Sequence, residues 1–150
     1  MAKTYGIDFP FNESRRGTFF NMTETPDREI RANLLHLILT RRGTRYYLPD
    51  FGTRLYEYIF EPNDSVTFQM IEDEIRTTVK KFIPNLDITE IRIVQADQDT
   101  EELSSVSEES DSRLFRVSNN STKPYTAKVR IDYDINNEPF SSSDFIIINI

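Results

Sequence analysis

A chain of 150 residues with 37% hydrophobic and 29% charged residues has room for one domain with a modest core, and is polar without being too polar to fold. Its net charge of −7 gives no general attraction to nucleic acid, and the absence of cysteine excludes disulfides and thiolate metal sites. Met1-Ala2-Lys3-Thr4-Tyr5-Gly6 lacks an apolar signal core and no run approaches the roughly 20 apolar residues of a membrane span, so a soluble protein made in a cytoplasm is expected.

The first 24 residues set Gly6, Pro10 and Gly17 among Phe9, Phe11, Phe19 and Phe20 without a sustained period, which reads as an irregular arm that packs. Thr25-Pro26-Asp27 is a helix start: threonine caps, proline suits the first turn, and Asp27 and Glu29 meet the positive end of the dipole. Ile30, Leu34, Leu37 and Ile38 then share an apolar face, and Gly43 offers a stop. After the turn Pro49-Asp50-Phe51-Gly52, Leu55, Tyr56, Ile59 and Phe60 predict a short second helix, broken by Glu61-Pro62-Asn63-Asp64-Ser65. Phe68, Ile71, Ile75, Val79 and Phe82 repeat every three or four residues and predict a third helix that Pro84 ends.

Beyond Pro84 the period becomes two. Thr89, Ile91 and Ile93 alternate with Glu90 and Arg92, and from Tyr125 to Ile135 apolar residues alternate with Thr126, Lys128, Arg130, Asp132 and Asp134, so one sheet face packs on helices and the other meets solvent. Between these strands, residues 97–122 form an acidic, serine-rich insertion at the hairpin tip. Asp97, Asp99, Glu101, Glu102, Glu108, Glu109 and Asp111 lie there without a base between Asp97 and Ser112, and the rest of the chain is neutral. Phe145-Ile146-Ile147-Ile148-Asn149-Ile150 predicts a third strand, which either completes its own sheet or offers an edge to a strand from another chain. The expected fold is α+β: three helices on one face of a small antiparallel sheet, in a single domain spanning 1–150 with its arm and insertion.

Few residues suggest catalysis. His36 is the only histidine, so no histidine pair binds a metal, and a packed or surface role is expected for it. No Gly-x-Ser-x-Gly elbow or phosphate-cradling glycine loop occurs, and no cofactor is implied. Glu57, Glu61 and Asp64 form a carboxylate cluster of the kind expected by chance among 25 acids. Arg41, Arg42, Arg45 and Arg54 flank Tyr46 and Tyr47, a mixture that suits a protein contact or a solvated loop better than nucleic acid in an acidic chain.

Leu39-Thr40-Arg41-Arg42-Gly43-Thr44-Arg45, Pro49-Asp50-Phe51-Gly52, Leu55 and Phe60-Glu61-Pro62 together resemble the sheath-initiator wedge family of contractile phage baseplates, also found in type VI secretion and related injection machines. Phe9-Pro10-Phe11 is similar to the family's N-terminal arm. The chain departs from the family after its long helix, where Ile83-Pro84-Asn85 stands in place of Glu-Pro-Arg and both charges are gone. The resemblance implies a non-enzymatic virion component in a six-fold ring at the tail baseplate, assembled in the host cytoplasm. Its implied partners are the tail sheath protein, other wedge proteins and tube-proximal hub proteins, without direct contact to nucleic acid or membrane. Wedge contacts fall to Arg41, Arg42, Arg45, Pro49, Asp50, Phe51, Gly52, Ile83, Pro84 and Asn85, and sheath contacts to Phe145, Ile146, Ile147, Ile148, Asn149 and Ile150. On this reading the terminal strand recruits a sheath strand. The alternative is a peptidoglycan-cleaving tail protein using carboxylates such as Glu57 and Glu61, a lysozyme label once applied to some family members.

Overall fold

The computed structural model describes residues 3–11, 17, 19–58, 60–62, 64–95, 114–116, 127–137 and 140–149. A two-residue antiparallel ladder joins β1 (Gly6–Ile7) to β2 (Met22–Thr23) in the arm. Then come α1 (Pro26–Leu39), the single turn α2 (Leu55–Tyr58) and α3 (Ser65–Phe82). The remaining elements are β3 (Leu86–Gln95), β4 (Leu114–Arg116), β5 (Ala127–Asn137) and β6 (Phe140–Asn149). The last four form one sheet in the order β3-β5-β6-β4.

Helix boundaries follow from capping chemistry. Thr25 accepts from the Arg28 N–H with Pro26 in the first turn of α1, and Asp64 accepts from the Thr67 N–H at 2.8 Å to start α3. That bond holds the Asp64 carboxyl below the usual carboxylate range. The expected stop at Gly43 is too late: the Thr40 hydroxyl and N–H both donate to the His36 carbonyl, and the backbone leaves α1 extended at Thr40. Gly43 serves the following loop instead, at φ 88°.

Strand β5 is one-sided, as its alternation predicts. Val129, Ile131, Tyr133 and Ile135 of β5 are buried, and so are Ile146 and Ile148, their neighbours on the same face of β6. These pack on Leu34, Leu35, Leu37 and Ile38 of α1, Leu55 of α2, and Ile71, Ile75 and Val79 of α3. The Tyr133 hydroxyl reaches Asp144 at 3.4 Å, and burial followed by that carboxylate pushes the phenol pKa upward. On the opposite face, Arg130 pairs with Asp132 at 2.9 Å and lies over the Phe145 ring at 4.4 Å.

Thr89 departs from the expected alternation. The β3–β5 register shifts between Ile88 and Glu90, and the Thr89 hydroxyl donates to Asp134 on the outer face at 3.0 Å. A bulge of this kind inverts the phase of the pleat, so Leu86 and Ile88 before it and Ile91 and Ile93 after it all serve the same core. The insertion also contributes to the sheet. Its Leu114–Arg116 segment runs parallel to Ile147–Asn149 as β4, while 97–113 and 117–122 fall outside the described residues.

Ile131 is fully buried at the centre of β5, so Ile131→Ala is expected to lower unfolding free energy by about 2–5 kcal/mol in urea denaturation. Thr77→Ala on the exposed side of α3 is expected to stay within about 0.5 kcal/mol of the parent.

Candidate functional site

Chain segments 41–53 and 81–85 meet beside the C-terminal half of α1. The first is a loop pinned at its base: the Thr53 N–H donates to the Thr40 carbonyl at 2.9 Å, and the Arg42 N–H donates to the Thr53 carbonyl at 3.0 Å. Gly52 makes this approach possible, since a Cβ there would collide with the Thr40 carbonyl and its φ is 107°. Higher in the loop, the Gly43 N–H donates to the Pro49 carbonyl at 2.8 Å, which closes a compact tip.

The motif arginines turn largely inward. Arg42 bonds Glu74 at 2.8 Å and Thr78 at 3.3 Å on α3. Arg45 lies over the Phe51 ring at 3.9 Å and its Nη2 is 3.2 Å from His36 Nε2. A guanidinium only donates, so Nε2 accepts and the imidazole is neutral. Burial, followed by the charge of Arg45, lowers the His36 pKa. The ring stacks on Phe9 at 5.3 Å and neighbours Phe51 at 5.6 Å, making His36 a packed residue between arm and loop. Arg41 is exposed, with its backbone bridged to Thr53.

Phe51 joins the two segments by meeting Phe82 edge-on at 5.2 Å, and exposed Asp50 reaches Lys81 at 3.4 Å. Around this contact lies an open cleft of about 370 Å³ lined by Ile30, His36, Phe51, Phe82, Ile83 and Pro84 among others. The structure thus brings Phe51 together with Ile83, Pro84 and Asn85, residues more than thirty positions apart in sequence. Asn85 is exposed, and its carbonyl accepts from the Asn136 N–H at 3.0 Å. Pro49 is exposed beside the tip.

The loop also offers aromatic surface to solvent. Tyr46 and Tyr47 are 92% and 95% exposed and meet edge-on at 5.2 Å, with half-exposed Leu48 behind them. The arginine-flanked tyrosine pair signals this tip in the sequence, but spacing alone does not reveal that Arg42 and Arg45 are occupied within the domain.

The terminal-strand residues form a separate locus. Ile146 and Ile148 point into the core, whereas Phe145 and Ile147 share the opposite face with Arg130 and Asp132, where Ile147 is nonetheless buried. Asn149 lies in β6 opposite Lys128, and Ile150 falls outside the described residues. Glu57 and Glu61 are exposed, and Asp64 is committed to its helix cap. Among the described residues no cluster of His, Cys, Asp or Glu is placed to hold a metal, and no helix is long and apolar enough to cross a membrane.

Gly52→Ala adds a backbone collision to a left-handed conformation and is expected to cost about 3 kcal/mol or more, against about 1–2 kcal/mol for Gly43→Ala, whose Cβ meets open space. Chemical denaturation of the two variants checks the order. Because the folded pKa of His36 lies below its ordinary 6.5, the unfolded chain takes up more protons there as pH falls. Its contribution is whole above pH 6.5 and declines as pH drops towards the folded pKa. Urea midpoints across that window are expected to fall less steeply in His36→Phe than in the parent.

Comparison with known proteins places this arrangement. The family described as Baseplate wedge protein gp25 matches residues 24–118, from α1 through β4. The Baseplate wedge protein gp25 of Enterobacteria phage T4 is 31% identical over 67 residues, which are 45% of this chain and 51% of that protein. The chain therefore spans about half the length of the curated relative it matches. A Geobacter sulfurreducens crystal structure described as a tail lysozyme shares the fold at TM-score 0.56 and 14% identity, over 83% of this chain and 91% of that one. A cryo-EM structure of the anti-feeding prophage baseplate, six-fold symmetrised, does so at TM-score 0.55 and 13% identity, over 95% of this chain and 82% of that one. At such identities the two structures attest the fold alone. The family match runs through both halves of the cleft and into the sheet, and the chain belongs to the gp25 family of baseplate wedge proteins.

Proposed function

We propose that this chain is a non-enzymatic wedge subunit of a contractile-tail baseplate whose β6 edge receives the first sheath strand. The observation that carries the reading is the disposition of β6. One edge is bonded to β5 along its full length, while among the described residues no strand pairs with the other edge over Phe140–Ile146. An extended strand edge suits β-augmentation, in which backbone bonds set the register and alternate side chains supply selectivity; the Phe145 N–H, which donates to the Asp144 carboxylate at 2.9 Å, would first have to exchange that partner. Ile146 and Ile148 hold the strand rigidly from the core side, so an incoming segment meets a preformed template.

In this role the cleft and the tyrosine tip face other wedge proteins and the tube-proximal hub. Phe51, Ile83 and Pro84 supply an apolar floor, and Tyr46 and Tyr47 supply the large, stiff side chains that dominate protein contacts. Repetition around the tail tube gives a six-fold ring, built in the host cytoplasm as one domain per subunit. The loss of charge at Ile83-Pro84-Asn85 makes its wedge contact apolar.

Removing the chain after Ser143 is a poor test, because it strips Ile146 and Ile148 from the core. Successive N–H groups of a strand point to opposite edges, so one of Ser142→Pro and Ser143→Pro removes an outward donor and spares the ladder to β5. That variant is expected to keep the parent's circular dichroism and lose co-sedimentation with assembled sheath subunit of the same tail. Binding retained by both folded variants overturns the edge assignment. Loss of turbidity of purified cell wall that disappears in Glu61→Gln would instead restore the peptidoglycan-cleaving reading.

A further inference from the structure

We infer that the first half of α3, with the turn before it, is a further docking surface, and that it receives a partner helix whose apolar stripe is flanked by lysine or arginine. Between Arg54 and Arg76 the chain carries Glu57, Glu61, Asp64, Glu72, Asp73 and Glu74 and no basic residue. Glu74 pairs with Arg42 at 2.8 Å and Glu72 with Arg76 at 2.9 Å. Glu57, Glu61, Asp64 and Asp73 are exposed, so their charge is turned to solvent.

An apolar surface is set among these carboxylates. Phe60 is 89% exposed, Val66 61% and Met70 52%. Val66, Met70 and Asp73 stand at i, i+4 and i+7 of α3 and share one stripe, away from the Ile71, Ile75 and Val79 side that enters the core. Phe60 precedes them in a turn that is bonded at both ends. The Glu61 N–H donates to the Tyr58 carbonyl at 3.1 Å, the Asp64 N–H to the Pro62 carbonyl at 2.9 Å, and the Asp64 carboxylate caps α3. A ring held out on such a turn loses little freedom when a partner covers it, and Met70 adapts to the shape that arrives.

Val66 and Met70, one helical turn apart, offer the ridge that a second helix takes into its groove. Charge decides which helix. Four carboxylates around the apolar residues repel an acidic partner and draw one with cations beside its apolar stripe. The surface is distinct from the cleft, because Met70 and Phe82 lie roughly 18 Å apart along the axis of α3. It uses no residue of β6 and stands or falls separately from the edge reading.

Titration of the full chain with a designed helical peptide, apolar along one stripe and lysine on both flanks, tests the surface by fluorescence anisotropy at low salt. The same peptide with glutamate for lysine is the control. The lysine peptide is expected to bind about tenfold more tightly or better. Phe60→Ser combined with Met70→Gln is expected to weaken it by about tenfold or more while keeping the parent's circular dichroism, since both side chains are exposed. Glu61→Gln combined with Asp73→Asn is expected to weaken it too and to flatten its dependence on salt. Glu90→Gln, an exposed carboxylate on the sheet, is expected to change neither. Equal affinity for the two peptides, no binding of the lysine peptide at about 1 mM, or binding indifferent to the Phe60 and Met70 changes overturns the inference. Baseplate proteins of the same tail, purified singly, supply the native arm. At least one is expected to bind the parent and to lose about tenfold in affinity to the Phe60→Ser, Met70→Gln variant, and a panel in which no partner responds to that variant also overturns it.

Discussion

The register of β5 is the constraint on which the rest of the domain depends. Val129, Ile131, Tyr133 and Ile135 alternate with charged residues, so it is their side of β5 that enters the core, and the described helices lie on that face. Both neighbours adjust to it. β3 inserts an extra residue at Thr89 to bring four apolar side chains to the core, and β6 takes the pairing that sets Ile146 and Ile148 beside Ile131 and Val129. A slip of β6 by one residue would exchange these isoleucines for Phe145 and Ile147 on the core face.

Function then falls to what this one-sided arrangement leaves over. Packing helices on a single face consumes their apolar stripes, yet it leaves a cleft where α1, the pinned loop and the turn after α3 converge. The sheet, open rather than closed into a barrel, must also end somewhere. One end is β3; the other is β6, shared with the short strand β4. The cleft and the sheet edge are therefore by-products of the topology.

Much of this was legible in the chain. The amphipathic repeat of α3 and the alternation of β5 are long enough to identify the element and its buried side without further information. Local signals were weaker wherever a distant residue decided the outcome. Thr40 rather than Gly43 ends α1, because its hydroxyl finds the His36 carbonyl and its own carbonyl is claimed by Thr53. Thr89 reads as an inward residue until its partner Asp134 is known. β4 sits in a serine-rich, acidic region with no strand period, and among the described residues it pairs with Ile147–Asn149. In the loop that the motif marks, Arg42 and Arg45 are occupied by Glu74, His36 and Phe51, which spacing does not reveal, while Arg41, Tyr46 and Tyr47 are exposed.

The two ionic ties that hold this loop against α3 differ in how they meet dissolved salt. Lys81 and Asp50 are 56% and 75% exposed at 3.4 Å, so counterions compete with them readily. Arg42 and Glu74 are 30% and 16% exposed at 2.8 Å, with Thr78 as a second acceptor, and are shielded from that competition. Raising ionic strength therefore weakens the tie at the outer rim of the cleft first, while the tie from Arg42 to α3 persists.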